Sequence, residues 1–110
     1  MHMRIAALII LAAIPAYAQD GSSSEGKKLY AQTGCYECHG TVGQGAGISG
    51  PRIAPTGLSL DDFAAQLRRP AREMPPYSEK VMSDKQLNDI YTWLRTIGPP
   101  PAPGSIKLLQ

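Results

Sequence analysis

The sequence predicts an all-α domain, with three main helices joined by loops rich in Gly and Pro. Three observations carry this reading. Three apolar stripes recur at helical spacing, each with a recognisable cap. No alternating run is long enough for a strand. The 11 Gly and 10 Pro fall mostly between the stripes and near the C-terminal end. Segments so rich in glycine have little preference for one conformation, so they are expected to wrap around something that completes the core.

At the N-terminus, Arg4 precedes a ten-residue apolar run from Ile5 to Ile14, followed by Pro15 and the small-residue pattern Ala16-Tyr17-Ala18. This reads as a secretory signal cleaved after Ala18, too short for the roughly 20 residues that span a bilayer. No cysteine follows the cleavage point, which argues against a lipoprotein. The expected organisation is a signal at 1–18, a domain at 19–98 and a proline-rich tail at 99–110. A mature chain of about 90 residues has a marginal core that needs a staple or a cofactor. With 11 basic and 9 acidic residues, and Arg4 removed with the signal, it is close to neutral. That argues against nucleic acid, whose binding rests on neutralising phosphates, and against strong attraction to an anionic membrane.

The first helix is read from Ser24 through "EGKKLYAQT", where Gly26, Leu29, Tyr30 and Thr33 share a face and Gly34 is the stop. It delivers Cys35 directly. The second lies in "LSLDDFAAQLRRP", with Ser59 as N-cap, Asp62 three residues on, and Leu58 placed to staple against Phe63. Its stripe is Leu60, Phe63, Ala64 and Leu67, and it ends before Pro70. The third, "MSDKQLNDIYTWLRTIG", has a capping box in Ser83 and Gln86 and a staple in Met82 and Leu87. Leu87, Ile90, Tyr91, Leu94 and Ile97 form its stripe, and Gly98 before three prolines stops it.

Both cysteines of the chain lie in Cys35-Tyr36-Glu37-Cys38-His39. C-x-x-C-H reads as a c-type haem attachment site: thiols three positions apart can each bond one of two vinyl groups along a haem edge, and the adjacent imidazole then reaches the iron. The same residues have other uses. A thioredoxin-like dithiol belongs beside a βαβ pattern, for which no strands are at hand. A closed zinc site needs four ligands, and Cys35, Cys38 and His39 supply three. A disulfide across so short a loop would constrain little. The secretory signal favours haem, because bacteria attach it covalently outside the cytoplasm.

With His39 on one side of the iron, a methionine is the candidate for the other. Met82 already has a staple to make. Met74, in "REMPPY", is held out of helical conformation by Pro75 and Pro76, and a stiff loop presenting a thioether suits a haem iron. Such ligation raises the potential and leaves no open position. Its alternative use is to fill a gap at the edge of the core. Tyr77 lies just beyond, within reach of the ligand or half-exposed on the loop.

Taken together, CYECHG after one helix, GPRI in the following loop, REMPPY and an aromatic last helix resemble a small class I cytochrome c over residues 24–98. The resemblance implies the class I fold, with first and last helices crossing near a right angle and Gly26 and Tyr30 meeting Ile90, Trp93 and Leu94. It implies thioethers from Cys35 and Cys38, proximal ligation by His39, the Pro51 carbonyl on its imidazole, and Met74 on the distal side. No residue matches the family's propionate contacts convincingly. Arg52, Arg68, Arg69 and Arg72 are candidates, with a solvated basic face as their alternative.

The expected function is one-electron transfer between redox partners in the bacterial periplasm by a non-enzymatic carrier with one covalent haem c, a monomer or a subunit of a complex. A second reading is a dedicated cytochrome subunit of a periplasmic dehydrogenase, docked by "GSIKLLQ", a segment that reads first as a disordered end. A third is a haem enzyme or gas sensor with an open iron position, for which the sequence offers no distal histidine.

Overall fold

The computed structural model describes residues 21–109, so the expected signal at 1–18 lies outside the described residues. Four α-helices follow in order, α1 Ser23–Gln32, α2 Cys35–His39, α3 Leu60–Arg68 and α4 Asp84–Thr96, and the described residues contain no strand. The all-α expectation therefore holds, with one helical turn added at the cysteine motif.

Helix α1 starts one residue before the expected Ser24. Ser22 is its cap, and the Ser22 hydroxyl accepts from the Glu25 amide at 3.3 Å. At the other end Thr33 leaves the helix, with its amide and hydroxyl both donating to the Leu29 carbonyl, at 2.9 and 2.7 Å. Gly34 then takes a left-handed conformation at φ 81°, which side chains with a Cβ rarely adopt. This one residue ends α1 and redirects the chain into α2.

The two later helices begin at the serines read from sequence. Ser59 accepts from the Asp62 amide at 3.1 Å. Ser83 and Gln86 close a reciprocal capping box, at 3.2 and 2.9 Å, which satisfies two amides that the helix itself leaves unpaired. The staple below it is buried, Met82 at 0% and Leu87 at 2% exposure. The second helix departs from expectation at Leu58 and Leu60, which remain 45% and 38% exposed. Phe63 and Leu67 carry that helix's burial instead, and Leu58 contributes its carbonyl, which accepts from the Tyr91 hydroxyl at 2.8 Å.

Packing of α1 on α4 makes the centre of the core, from Leu29, Tyr30, Leu87, Ile90, Tyr91, Trp93 and Leu94. Gly26 permits it, since a Cβ there would overlap the Asp89 carbonyl oxygen. Tyr30 and Trp93 meet with ring centres 4.8 Å apart, tilted at 56°, a favoured arrangement of aromatic pairs. The buried Asp89 carboxylate accepts from the Ser22 amide at 2.7 Å and pairs with Lys85 at 2.8 Å, fixing the start of α1 to α4. No helix among the described residues is long and apolar enough to cross a membrane. After Gly98 the chain runs exposed through its prolines into two short 3-10 turns, Pro103–Ser105 and Lys107–Leu109.

Candidate haem site

Helix α2 puts Cys35, Cys38 and His39 on little more than one turn, directly after the Gly34 break. Cys35 packs against the core and Cys38 is exposed. Burial pushes the Cys35 thiol up from its ordinary value, and the Thr33 hydroxyl 3.3 Å away partly offsets this. The two sulfurs thus sit differently, one at the edge of the core and one toward solvent.

His39 is oriented by the loop that follows. Its Nδ1 lies 2.8 Å from the Pro51 carbonyl oxygen. A carbonyl only accepts, so Nδ1 carries the proton and Nε2 keeps its lone pair for a ligand. Close approach at Gly50 makes this contact possible, since a Cβ there would stand 2.5 Å from the Cys38 carbonyl oxygen and 3.1 Å from His39 Nδ1.

The loop from residue 40 to 57 returns to the core through named bonds. The Tyr30 hydroxyl donates to the Gly40 carbonyl at 2.5 Å, and burial is the largest influence that pushes this phenol up to about 12. The Gly45 amide donates to the His39 carbonyl at 2.7 Å, and the Gly43 carbonyl accepts from Ile53 and Ala54 at 2.8 and 3.0 Å. Gly43, at φ 69°, leaves no space for a Cβ, which would lie 2.8 Å from that of Ala54 and 3.2 Å from Leu94 Cδ2. Gly40, Gly43 and Gly45 of the wrapping loop are thus held by hydrogen bonds, and Gly43 also lies against α4.

Met74 lies in the loop between α3 and α4, partly buried against the core, with Gln66 Nε2 3.9 Å from its Sδ. Three residues on, Tyr77 is fixed at three points. Its amide donates to the Leu67 carbonyl at 2.8 Å, its carbonyl accepts from Arg68 at 2.9 Å, and its hydroxyl donates to the Thr33 carbonyl at 3.3 Å. Burial first, then the charges that Cys35, Cys38 and Glu37 carry as anions, push the Tyr77 phenol up. The Met74 loop therefore comes back beside the cysteine motif.

Of the four arginines weighed as propionate contacts or a solvated face, Arg68 is bonded within the protein itself. Its Nη1 donates to the carbonyls of Tyr77 and Met82, and its Nη2 pairs with Asp84. Arg52 donates to the Ala54 carbonyl at 2.8 Å, while Arg69 and Arg72 are exposed. Gly50 and Gln66 have no place in the reading of the sequence, and Arg68 has one only as a propionate candidate, not as a tie across the loop. Gly50 had a signal in its place just before Pro51, but nothing marks Arg68 among its basic neighbours.

The donor set fits a covalent haem: two thiols on one turn, an imidazole with Nδ1 occupied and Nε2 available, and a thioether on a loop returning to the same motif. No cluster of three or more His, Cys, Asp or Glu suited to holding a metal ion occurs among the described residues. Residues 21–94 match the family described as cytochrome c oxidase, cbb3-type, subunit III. The chain is also 31% identical over 96 residues to cytochrome c-555 of Methylococcus capsulatus, covering 83% of this chain and 77% of that protein. No solved structure matches it significantly. The chain belongs to the cbb3-type subunit III family of cytochrome c domains and is a small c-type cytochrome of the class I fold, an electron carrier with covalently bound haem.

Proposed function

We propose that the protein is a one-electron carrier between redox partners in the bacterial periplasm, in which Cys35 and Cys38 would attach the haem as thioethers and His39 and Met74 would ligate its iron. When bound, the haem supplies a one-electron ferric/ferrous couple. What the chain contributes is attachment, orientation and exclusion of other ligands. Pro51 holds the His39 ring in one tautomer, which presents Nε2 and raises its basicity. Met74 would supply a soft thioether donor, which raises the potential of a haem so ligated and leaves no open site on its iron.

The observation that carries this reading is the pinning of Tyr77 to Thr33, two residues before Cys35, which brings the loop bearing Met74 back to the cysteine motif. The test is the visible spectrum of the reduced, haem-loaded protein before and after carbon monoxide. An unchanged spectrum is expected, with both axial positions filled. Ready binding of carbon monoxide would replace this reading with an open-site sensor or enzyme.

A second reading, a subunit of a larger redox enzyme, draws on the exposed tail, where Leu108 is 95% exposed. The matched family is described as an oxidase subunit, whereas the sequence reading pointed to a dehydrogenase. Co-purification with and without residues 99–110 separates subunit from free carrier.

A further inference from the structure

We propose that Arg68 is a positioning residue, holding the loop of residues 69–83 closed so that Met74 stays at the haem. This rests on the reading of Met74 as an axial ligand. Between α3 and α4 the chain has no regular helix or strand, and loops of this length are uncommon unless they serve a function. Something must hold such a loop shut.

Arg68 is the last residue of α3, with its side chain only 18% exposed. Nη1 donates to the Tyr77 carbonyl at 2.9 Å and to the Met82 carbonyl at 2.6 Å, and Nη2 reaches Asp84 Oδ1 at 2.7 Å. One guanidinium thus ties the start of the loop to its middle and to its end. The two carbonyl bonds matter more than the ion pair. Asp84 is 82% exposed, and a pair so open to water contributes little, whereas charge-assisted bonds to half-buried carbonyls are among the stronger ones. Lysine would keep the charge and lose the fork that serves three acceptors at once. Pro75 and Pro76 stiffen the stretch between Met74 and Tyr77, so fixing Tyr77 restricts Met74. Gln66, one half-turn earlier on α3, meets Met74 itself.

The test uses the haem-loaded full chain and reads the rate of carbon monoxide binding to the ferrous form, beside the thermal midpoint. Arg68→Lys and Arg68→Gln are expected to bind on the order of tenfold faster than the unsubstituted protein, with Asp84→Asn close to unchanged. Met74→Ala should open the site fully. Asp89→Asn, which loosens the α1–α4 contact away from the loop, should lower the midpoint without speeding binding. If Met74→Ala opens the iron and neither Arg68 variant does, the clamp is wrong and the axial reading stands. If Met74→Ala leaves binding unchanged, the axial reading fails first. Equal acceleration in Asp89→Asn at a matched midpoint would reduce Arg68 to general stability and overturn the proposal. Should neither Arg68 variant accumulate, amide exchange of the unsubstituted protein decides. Tyr77 and Met82 amides opening at one rate support a single clamp, and independent rates overturn it.

Discussion

Along the α1–α4 contact the chain is close-packed. Gly26 lies on the Asp89 backbone, Tyr30 meets Trp93, and Ile90 and Leu94 are 1% and 0% exposed. The two loops that flank the cysteine motif are held by other means. Residues 40–57 rely on left-handed glycines and single bonds such as Tyr30 to Gly40, and residues 69–83 on the fixed points at Tyr77 and Arg68. The difference is between many weak contacts that share a load and a few polar bonds that do not. Each loop bond should therefore act on the site, and each scaffold contact on the whole fold.

The sharpest way to break this comparison is Gly26→Ala. Alanine favours a helix, but here its Cβ meets a backbone oxygen that cannot turn aside. A loss of ~3 kcal/mol is expected, or ~12 °C or more in Tm for a domain of this size. A loss under 1 kcal/mol would mean that α1 and α4 can separate freely.

Tyr30 belongs to both regions, and its titration sharpens the boundary. The folded-state pKa is raised from 10.0 to about 12, so the folded chain holds this proton more tightly. The associated stability is present below pH 10 and is lost as pH rises toward 12. Part of the shift comes from Cys35 as an anion and disappears once its sulfur is a thioether, leaving burial as the cause. Tyr30→Phe should cost ~1 kcal/mol at neutral pH and shrink the alkaline limb in a plot of denaturation midpoint against pH, leaving the part due to Tyr77.

Gly50→Ala probes the loop side alone. Its Cβ would push on the Cys38 carbonyl and on His39 Nδ1. A cost of ~1–2 kcal/mol should accompany a changed reduction potential, measured by titration of the visible spectrum, because the Pro51 bond to His39 is displaced. In Gly26→Ala protein that remains folded, the potential should be nearly unchanged. The smallest effect is expected from Ser83→Ala, which removes the capping box of α4 for ~1 kcal/mol, read as a lower Tm with unchanged potential.

Much of the fold was legible because caps and stripes are local. Ser59, Ser83 and Gln86 bond to residues three positions away, a distance at which chain geometry alone decides who meets whom. Leu58, expected to staple against Phe63, and Leu60, expected on the apolar stripe, stay half-exposed for the complementary reason. Periodicity says which side chains share a face, and not how far a partner surface extends over it. The haem motif was legible through spacing along one turn, as Cys35, Cys38 and His39 show.

By itself, then, the sequence determined the all-α class, the starts of α3 and α4, the turn at Gly34 and the chemistry of the cysteine motif, all matters settled within a few residues by sterics and hydrogen-bond reach. Tertiary structure decided which of four arginines spans the 69–83 loop, why Gly26, Gly43 and Gly50 must lack side chains, and how Tyr77 reaches Thr33, 44 positions away. Those contacts depend on where two distant segments settle after the core packs, and no local preference encodes that.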